Sequence, residues 1–393
     1  MPHYQIPDRL QGLQLSALSD AELPVSDPGF ISFIEGNPAV EALPLAALTT
    51  ISERILREEP ILSLHYSAAD GDPALLEALC VSLQQSYNIA ASHDGLLITS
   101  GAQQAIDLSS GLLCQEGDVV FCEKPTYADA LGTFRKHGLR PIPIAMEEDG
   151  LDIAELERAL QRHAPRFLYL IPSFHNPTGR TLSLAKRQAL MDVAQRYDLL
   201  ILEDDPYGAL RFAGEDIAPL KALDTMGNVL YIGSFSKVIA PGLRLGYLCG
   251  DPKLLGILAQ MKQFDDLHSS NLVQRLAYHF LIDYDFAGHL QRLRQIYKHK
   301  CDLMLTALDR HLQGRLSFTR PEGGFFLWCE LAPHIDVARF YERLSELKVA
   351  VAPGKVFLPD AEEEVRTFRL NFSAPSEAQI EEGIARIAEA SRS

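Results

Sequence analysis

Short apolar runs and amphipathic segments alternate through the middle of the chain. The apolar runs predict seven strands, at Leu96–Thr99, Val119–Cys122, Pro141–Ile144, Phe167–Ile171, Leu199–Glu203, Val229–Gly233 and Leu245–Gly250. Apolar residues recur at helical spacing between many of these runs, at Ala102–Leu113, Tyr127–His137, Asp152–Arg162 and Leu184–Tyr197. Such alternation predicts an α/β fold in which helices sandwich a mostly parallel seven-stranded sheet.

The pattern differs on both sides of this region. Helical spacing precedes it at Leu43–Arg57 and Ala74–Tyr87, and a shorter amphipathic segment lies at Leu10–Leu23. After about Pro252 the pattern predicts helices at Leu254–Phe264, Asn271–Leu312, Val337–Leu347 and Ser376–Ser391, and strands at Arg315–Phe318, Gly324–Trp328 and Phe368–Phe372. We therefore expect a large domain at 46–268, a smaller α+β domain at 269–393, and an N-terminal arm at 1–45 that packs with the small domain.

Length and charge narrow the class of protein. A chain of 393 residues favours two domains. Its formal net charge is −16 and its basic residues are not clustered, which argues against nucleic acid or an anionic membrane as a partner. No apolar run is long enough to predict a transmembrane helix.

Cysteine usage and the first residues indicate the compartment. The six cysteines are scattered without a CxxC pair, so we expect neither a disulfide framework nor a metal site. The first residues, MPHYQIPDRLQ, lack the pattern of a signal peptide. These features favour a cytoplasmic protein.

Polar residues follow the predicted strands, where open α/β sheets bind ligands. Gly101, Ala102 and Gln103 open a helix, whose first N–H groups favour an anion, although this signal is weak alone. Tyr127 follows the next strand, where it could stack on a ring or pack in the core. Asn176 lies in the sequence HNPTG, which an ordinary turn would also explain.

Charged residues follow the last two parallel strands. Three carboxylates at 203–205 would be costly at a buried strand end unless a cation pairs with them. Lys237 follows Ser234 and Ser236, and Arg244 lies seven residues later. A lysine beside an anion site suggests a Schiff-base lysine that holds a phosphorylated aldehyde, although a loop lysine among surface serines is the plain alternative. Taken together, these residue types fit pyridoxal phosphate.

The motifs HNPTG, EDDPY, SFSK and PGLRLGY, with 28 residues from Asn176 to Asp204 and 33 from Asp204 to Lys237, are specific in combination. From about Gly36 onward the chain resembles fold-type I pyridoxal-phosphate enzymes of the class I/II aminotransferase family, closest to the aminoadipate/kynurenine branch. The resemblance implies ping-pong transfer of an amino group between an L-amino acid and a 2-oxo acid. It also implies a homodimer with shared active sites.

The resemblance also implies individual roles. Lys237 would be the Schiff-base lysine, Asp204 would pair with the cofactor's ring nitrogen, and Tyr127 would stack on the ring. The ring hydroxyl would be bound by Tyr207 and Asn176. The residues implied for the phosphate are Gly101, Ala102, Gln103, Ser234, Ser236 and Arg244, with Tyr66 lent by a neighbouring subunit. The residues implied for the substrate carboxylate are Arg369, Asn176 and the backbone of Gly36.

Some alternatives stay open. Ala102, His175 and Lys355 depart from the residues common in the family, which leaves the substrate preference open. β-Elimination, decarboxylation or oxidation would use the same lysine and aspartate. A ligand-sensing domain of a GntR-type regulator is less favoured, because only some 35 residues, without a basic helix, precede Gly36. The sequence does not identify the donor or the acceptor.

Overall fold

The computed structural model describes residues 29–359 and 365–392. The predicted helix at Leu10–Leu23 and most of the predicted arm lie outside these residues. In chain order the described strands are β1 (Ile31–Ser32), β2 (Leu96–Thr99), β3 (Val119–Lys124), β4 (Arg140–Glu147), β5 (Gly150–Leu151), β6 (Leu168–Leu170), β7 (Ile201–Asp205), β8 (Val229–Ser234), β9 (Gly246–Cys249), β10 (Leu316–Phe318), β11 (Phe326–Leu331), β12 (Val349–Ala350), β13 (Ala352–Pro353) and β14 (Thr367–Asn371).

The described helices lie between and around these strands. In chain order they are α1 (Leu45–Glu58), α2 (Pro60–Leu64), α3 (Pro73–Tyr87), α4 (Ala102–Leu113), α5 (Ala128–Lys136), α6 (Ile153–Leu160), α7 (Leu184–Tyr197), α8 (Leu220–Leu223), α9 (Pro252–Asp265), α10 (Asn271–Asp283), α11 (Phe286–His311), α12 (Val337–Glu346) and α13 (Glu377–Ala390). None of them, within the described residues, is both long enough and apolar enough for a bilayer crossing.

The large sheet has the strand order β2-β9-β8-β7-β6-β3-β4-β5. Strands β8, β7, β6, β3 and β4 run parallel to one another, and β9 is antiparallel to both β8 and β2. The parallel strands have nearly continuous apolar runs because helices cover both faces of the sheet. The predicted mostly parallel sheet is confirmed, and all seven predicted strands belong to it.

One strand of the large sheet was not predicted. The two residues of β5 pair antiparallel with the end of β4 through Met146 and Glu147, which adds an eighth strand at the edge. A strand of two residues is too short to carry a period-2 pattern, so no sequence pattern could predict it.

A second, antiparallel sheet has the order β10-β11-β14-β13, and β1 pairs separately with β12.

The predicted helix at Asn271–Leu312 is two helices, α10 and α11, with a break at Tyr284 and Asp285. The side chain of Asp285 caps α11 by accepting a hydrogen bond from the N–H of Gly288 at 2.9 Å. This capping favours a new helix over continuation of the old one.

Candidate active site

A cavity of about 430 Å³ lies at the carboxyl ends of the parallel strands. The strand directions bring the loops after β2, β3, β6, β7 and β8 to this one edge of the sheet, as expected for open α/β folds. Most of the predicted site residues line it, namely Gly36, Ala102, Gln103, Tyr127, Asn176, Asp204, Tyr207, Ser234, Ser236, Lys237, Arg244 and Arg369.

Lys237 follows the end of β8 and points into the cavity. Its Nζ donates a hydrogen bond to the carbonyl oxygen of Gly36 at 2.8 Å. Burial, together with the positive charges of Arg369 and Arg244, lowers the pKa of Lys237 to about 8. Such a pKa leaves roughly a tenth of the amine neutral at pH 7, far more than for an ordinary lysine, and this fraction is available as a nucleophile and a base.

Asp204 lies near the end of β7 and is 3% exposed. The hydroxyl group of Tyr169, on β6, donates a hydrogen bond to its Oδ2 at 2.7 Å. The other oxygen, Oδ1, is buried with no hydrogen-bond partner among the described residues. Burial raises the pKa of Asp204 to about 7, with smaller contributions from Asp205 and Glu123. A buried, unpaired carboxylate oxygen of this kind is a ready acceptor for a cationic N–H group.

Arg369, on β14, reaches the cavity from the antiparallel sheet and is 2% exposed. Its Nη1 donates to Oδ1 of Asn176 at 2.7 Å, and its Nη2 donates to the carbonyl oxygen of Ile34. The guanidinium carbon lies 4.1 Å from the ring centroid of Phe326. These contacts fix the planar guanidinium group in a site that suits a carboxylate.

The turn before α4 leads into the cavity, which Ala102 and Gln103 line. Gly101 has φ +86°, and a Cβ there would come within 2.6 Å of Nη2 of Arg244. No side chain caps α4, so its first N–H groups are available to a ligand. The side chain of Gln103 is held elsewhere, donating to Oγ1 of Thr133 at 2.7 Å, so only its backbone can bind an anion here. Backbone N–H groups and a nearby guanidinium make an anion cradle.

Sequence reasoning missed several residues that complete this site. Asp129 accepts a hydrogen bond from the hydroxyl group of Tyr127 at 2.9 Å, and its position two residues after Tyr127 at a helix start was a possible signal. Tyr169 gave no signal, because its contact with Asp204 depends on the register between β6 and β7. The other unpredicted lining residues are Ile34, Glu35, Asn37, Ile171, Pro206, Pro241 and Phe326.

Two predicted residues lie outside the lining of the cavity. Gly101 is immediately behind it, under Arg244. Tyr66 is 86% exposed, and its ring centroid lies 5.9 Å from that of His268, on a different part of the surface. Its side chain therefore does not contribute to the cavity of its own chain.

The residues present fit pyridoxal phosphate. The cavity combines an amine of lowered pKa on Lys237, an unpaired carboxylate oxygen on Asp204 and an anion cradle at Gly101. These are the three groups that the aldehyde, the ring nitrogen and the phosphate of this cofactor require. No cluster of metal-ligating side chains was found among the residues that the structure describes.

Comparison with known proteins supports the same chemistry. Residues 30–387 match the family model described as aminotransferase class I and II. The chain is 34% identical to an aromatic-amino-acid aminotransferase of Thermococcus litoralis, over 97% of this chain and 93% of the relative. It is 37% identical to a 2-aminoadipate transaminase of Thermus thermophilus, over 96% and 94%.

Solved structures agree with this assignment. A kynurenine aminotransferase of Pyrococcus horikoshii, solved with PMP, superimposes with a TM-score of 0.93 at 33% identity, over 98% of this chain and 96% of that one. The α-aminoadipate aminotransferase LysN of Thermus thermophilus, solved with a phosphopyridoxyl-leucine adduct, gives 0.87 at 36% identity, over 93% and 92%. The chain therefore belongs to the class I and II aminotransferase family and is a pyridoxal-phosphate-dependent aminotransferase of fold type I.

Proposed function

We propose that this aminotransferase acts on an L-amino acid and a 2-oxo acid whose α-carboxylate binds Arg369. The observation that carries this proposal is the fixed guanidinium group of Arg369, which faces the same cavity as Lys237 and Asp204. Hydrogen bonds to Asn176 and Ile34 hold this group in place before a substrate arrives. A carboxylate bound there would have its α-carbon directed into the cavity that Lys237 lines.

Lys237 is proposed as the residue that moves the proton at the substrate α-carbon. Its lowered pKa, about 8, lets it accept a proton near neutral pH and return it later in the cycle. The carbonyl oxygen of Gly36 holds its Nζ at 2.8 Å and thereby orients the amine. General acid–base catalysis of this kind contributes roughly 10²–10⁴-fold to a rate.

The other predicted roles concern the cofactor. Pyridoxal phosphate supplies an aldehyde for amine exchange and a ring that accepts the electron pair released at the α-carbon. Asp204 would hold the ring nitrogen through its unpaired Oδ1, and Tyr127 would lie against the ring. Tyr207 and Asn176 would bind the ring hydroxyl. The proposed phosphate ligands are the backbone of Gly101, Ala102 and Gln103 and the side chains of Ser234, Ser236 and Arg244.

A homodimer is proposed from the surface around Tyr66. Tyr66 and Leu267 line one surface depression, and the exposed Leu64 and Phe264 lie two and three residues from them in the chain. We name these four residues, which are between 52% and 90% exposed, the apolar face. An apolar patch of this kind on a globular protein favours an interface. A second copy is the proposed occupant, because Tyr66 would then reach the phosphate of the neighbouring site and make one site from two chains.

The division into an arm at 1–45, a large domain at 46–268 and a small domain at 269–393 is also a proposal. In its support, the antiparallel sheet draws its strands from residues 316–371, well after the last strand of the large sheet. A cytoplasmic location is proposed as well. No disulfide joins the six cysteines, all of which lie in described residues, and this is compatible with a reducing compartment.

The substrates named for the relatives define the first donors to test. The relatives are named for aromatic amino acids, 2-aminoadipate and kynurenine. We propose that the donor of this chain is among these classes.

The experiment is a visible absorption spectrum of the purified protein with pyridoxal phosphate, recorded before and after adding each candidate amino acid, with Lys237→Ala as the comparison. We expect a lysine-dependent band in the wild type, its loss on adding the true donor, and release of the matching 2-oxo acid. Release of ammonia in place of a stable aminated cofactor would contradict transamination and favour elimination.

A further inference from the structure

A partly buried ion pair, in which Lys262 is buried and Asp266 is about a quarter exposed, lies behind the turn that opens α4. Lys262, on α9, is completely buried, and its Nζ donates to both oxygens of Asp266, at 2.6 and 2.8 Å. Asp266 is the C-cap residue that directly follows α9. A carboxylate at a helix C-terminus faces the negative end of the helix dipole, and burying a lysine is costly. Such an arrangement gains little stability by itself, so its other contacts are informative.

Those contacts all lead to the turn before α4. Oδ2 of Asp266 accepts a hydrogen bond from Nε2 of Gln104 at 2.8 Å and one from Oγ of Ser100 at 3.2 Å. The other side-chain atom of Gln104, Oε1, accepts a hydrogen bond from the backbone N–H of Ser100 at 2.8 Å. Asp266 therefore holds the hydroxyl group of Ser100 directly and its N–H group through Gln104. The contacts at the same turn from Ser269 to the hydroxyl group and from Asp265 to Gln104 are longer, at 3.3 and 3.2 Å.

The fixed residue precedes the anion cradle. Ser100 is followed by Gly101, whose Cα lies under the guanidinium group of Arg244, and the carbonyl oxygen of Ser100 lies 3.5 Å from Nη2 of Arg244. On the other side, the hydroxyl group of the buried Thr99 donates to the carbonyl oxygen of Gly101 at 3.0 Å. The direction of the free N–H groups at the start of α4 thus depends on a turn that is held at both ends.

The charge of the pair also matters to an anion. Burial opposes the ionisation of Asp266, but the hydrogen bonds from Lys262, Gln104 and Ser100 outweigh it, and the pKa of Asp266 is lowered. Lys262 neutralises the charge of Asp266, so the pair itself adds no net charge beside the cradle. Asp265, which precedes Asp266, accepts a longer hydrogen bond from Nε2 of Gln104 at 3.2 Å and is a second carboxylate near the turn. A neutral pair of this kind suits a site that receives a phosphate.

We propose that Asp266, balanced by Lys262, is a positioning residue that aims the backbone N–H groups of the turn at the cofactor phosphate. The proposal rests on the proposed function, because it takes the turn at Gly101 as the phosphate site. It predicts a selective effect. Asp266 supports binding of the phosphate group and not of the ring or the aldehyde, which contact Asp204 and Lys237.

The test compares pyridoxal phosphate with pyridoxal, which lacks the phosphate, in titrations of the cofactor-free protein and of Asp266→Asn. We expect the dissociation constant for pyridoxal phosphate to rise about tenfold, the effect of losing one hydrogen bond to a charged group. The constant for pyridoxal should change less than about twofold. The inhibition constant of inorganic phosphate against pyridoxal phosphate should rise in parallel, by about the same tenfold factor.

A matched control comes from the same kind of pair elsewhere. Lys298 and Asp302 form an i,i+4 ion pair at 2.6 Å on the exposed side of α11, so Asp302→Asn should leave all three constants unchanged. If Asp266→Asn does not fold, Gln104→Met removes the link that runs through Gln104 and leaves both the ion pair and the direct bond from Ser100 to Asp266 intact, and a selective loss in the same direction is expected. Equal weakening of both aldehydes, or no change in any of the three constants, would overturn the proposal. Wild-type protein that binds neither aldehyde would instead overturn the proposed cofactor roles.

Discussion

At the scale of single residues, the site contains buried charged groups that the described residues themselves do not fully pair. Asp204 has an unpaired buried oxygen, and Lys237 has a depressed pKa, because each lies in a cavity built for a bound partner. Perturbed pKa values in a cleft are typical of functional sites. The cofactor-free protein should therefore have a lower free energy of unfolding than a variant without these buried groups. The size of this difference should depend on pH.

The first prediction concerns the pH dependence of Asp204→Asn in the cofactor-free protein. The pKa of Asp204 is about 7 in the folded protein and about 3.9 for an unfolded chain, so stability is lost as the pH rises from about 4 through 7. The substitution removes that loss. Its gain in the free energy of unfolding should be larger at pH 8 than at pH 5 by about 2–3 kcal/mol, measured by urea unfolding.

The control for this prediction is Asp192→Asn. Asp192 is exposed on α7, so its replacement should have the same small effect at both pH values. Equal gains at pH 5 and pH 8 for Asp204→Asn would mean that this carboxyl group does not titrate abnormally.

The second prediction concerns Arg369→Lys. Lysine keeps the charge but loses the planar pair of donors, so the KM for both the amino acid and the 2-oxo acid should rise about 10- to 100-fold. The affinity for pyridoxal phosphate should change little, because the proposed role of Arg369 is to bind the substrate carboxylate and not the cofactor. Steady-state kinetics with both substrates, beside a cofactor titration, provide the measurement.

Arg310→Lys is the comparison for this variant. Arg310 pairs with Glu381 on the surface at 3.2 Å, and its replacement should leave both KM values unchanged. A loss of cofactor affinity in Arg369→Lys with normal KM values would show that Arg369 binds the cofactor and not the substrate carboxylate.

At the scale of elements, strand direction and helix starts assemble the cavity. Parallel strands present their carboxyl ends at one edge, so the residues after β3, β6, β7 and β8 meet there although they are far apart in the chain. The start of α4 adds free N–H groups to the same edge. Gly101, at this helix start, should tolerate substitution poorly, because its φ is positive and because Arg244 leaves no room for a Cβ.

The third prediction is that Gly101→Ala weakens binding of pyridoxal phosphate by about tenfold or more, in a fluorescence titration. A Cβ there would lie 2.6 Å from Nη2 of Arg244 and would displace the guanidinium group from the cradle. The backbone strain alone costs about 1–3 kcal/mol of stability.

Gly117→Ala is the control that introduces backbone strain without displacing Arg244. Gly117 has a similar φ of +88°, but a Cβ there meets nothing within 4 Å. This variant should lose stability and keep its cofactor affinity. If Gly101→Ala and Gly117→Ala bind the cofactor equally well, the position of the Arg244 guanidinium group next to Gly101 does not affect cofactor binding.

At the scale of the whole molecule, the proposed substrate site joins two sheets. Arg369 on the antiparallel sheet contacts Asn176 in the loop after β6 of the large sheet, although the two residues are 193 positions apart. In the proposed dimer, a second chain would complete the site, since Tyr66 does not reach the cavity of its own chain. Cofactor binding and self-association should therefore be linked.

The fourth prediction is that Phe264→Glu weakens self-association by about tenfold or more, measured by sedimentation equilibrium. Phe264 is 90% exposed on the apolar face, and a carboxylate there would have to be desolvated on association. Cofactor affinity should fall with it at low protein concentration. Met226→Glu, at an exposed apolar residue away from this face, should leave self-association unchanged. A chain that is monomeric with full cofactor affinity would exclude a shared site.

The sequence by itself determined the large sheet and most of the cavity. Buried parallel strands need continuous apolar runs, and the polar residues that follow each run must then lie at one edge, so Lys237, Asp204 and Asn176 could be placed from local pattern alone. The motifs around them specified the family. The turn at Gly101 was predicted only weakly, because a helix start without a side-chain cap is common.

The tertiary structure decided what depends on register and on distant contacts. Tyr169 reaches Asp204 because of the pairing between β6 and β7, and Arg369 is fixed by Ile34 and Asn176 from other parts of the chain. The support of the Gly101 turn by Asp266 joins residues 166 positions apart. Local patterns do not encode such pairs, because each forms only when packing brings separate elements together.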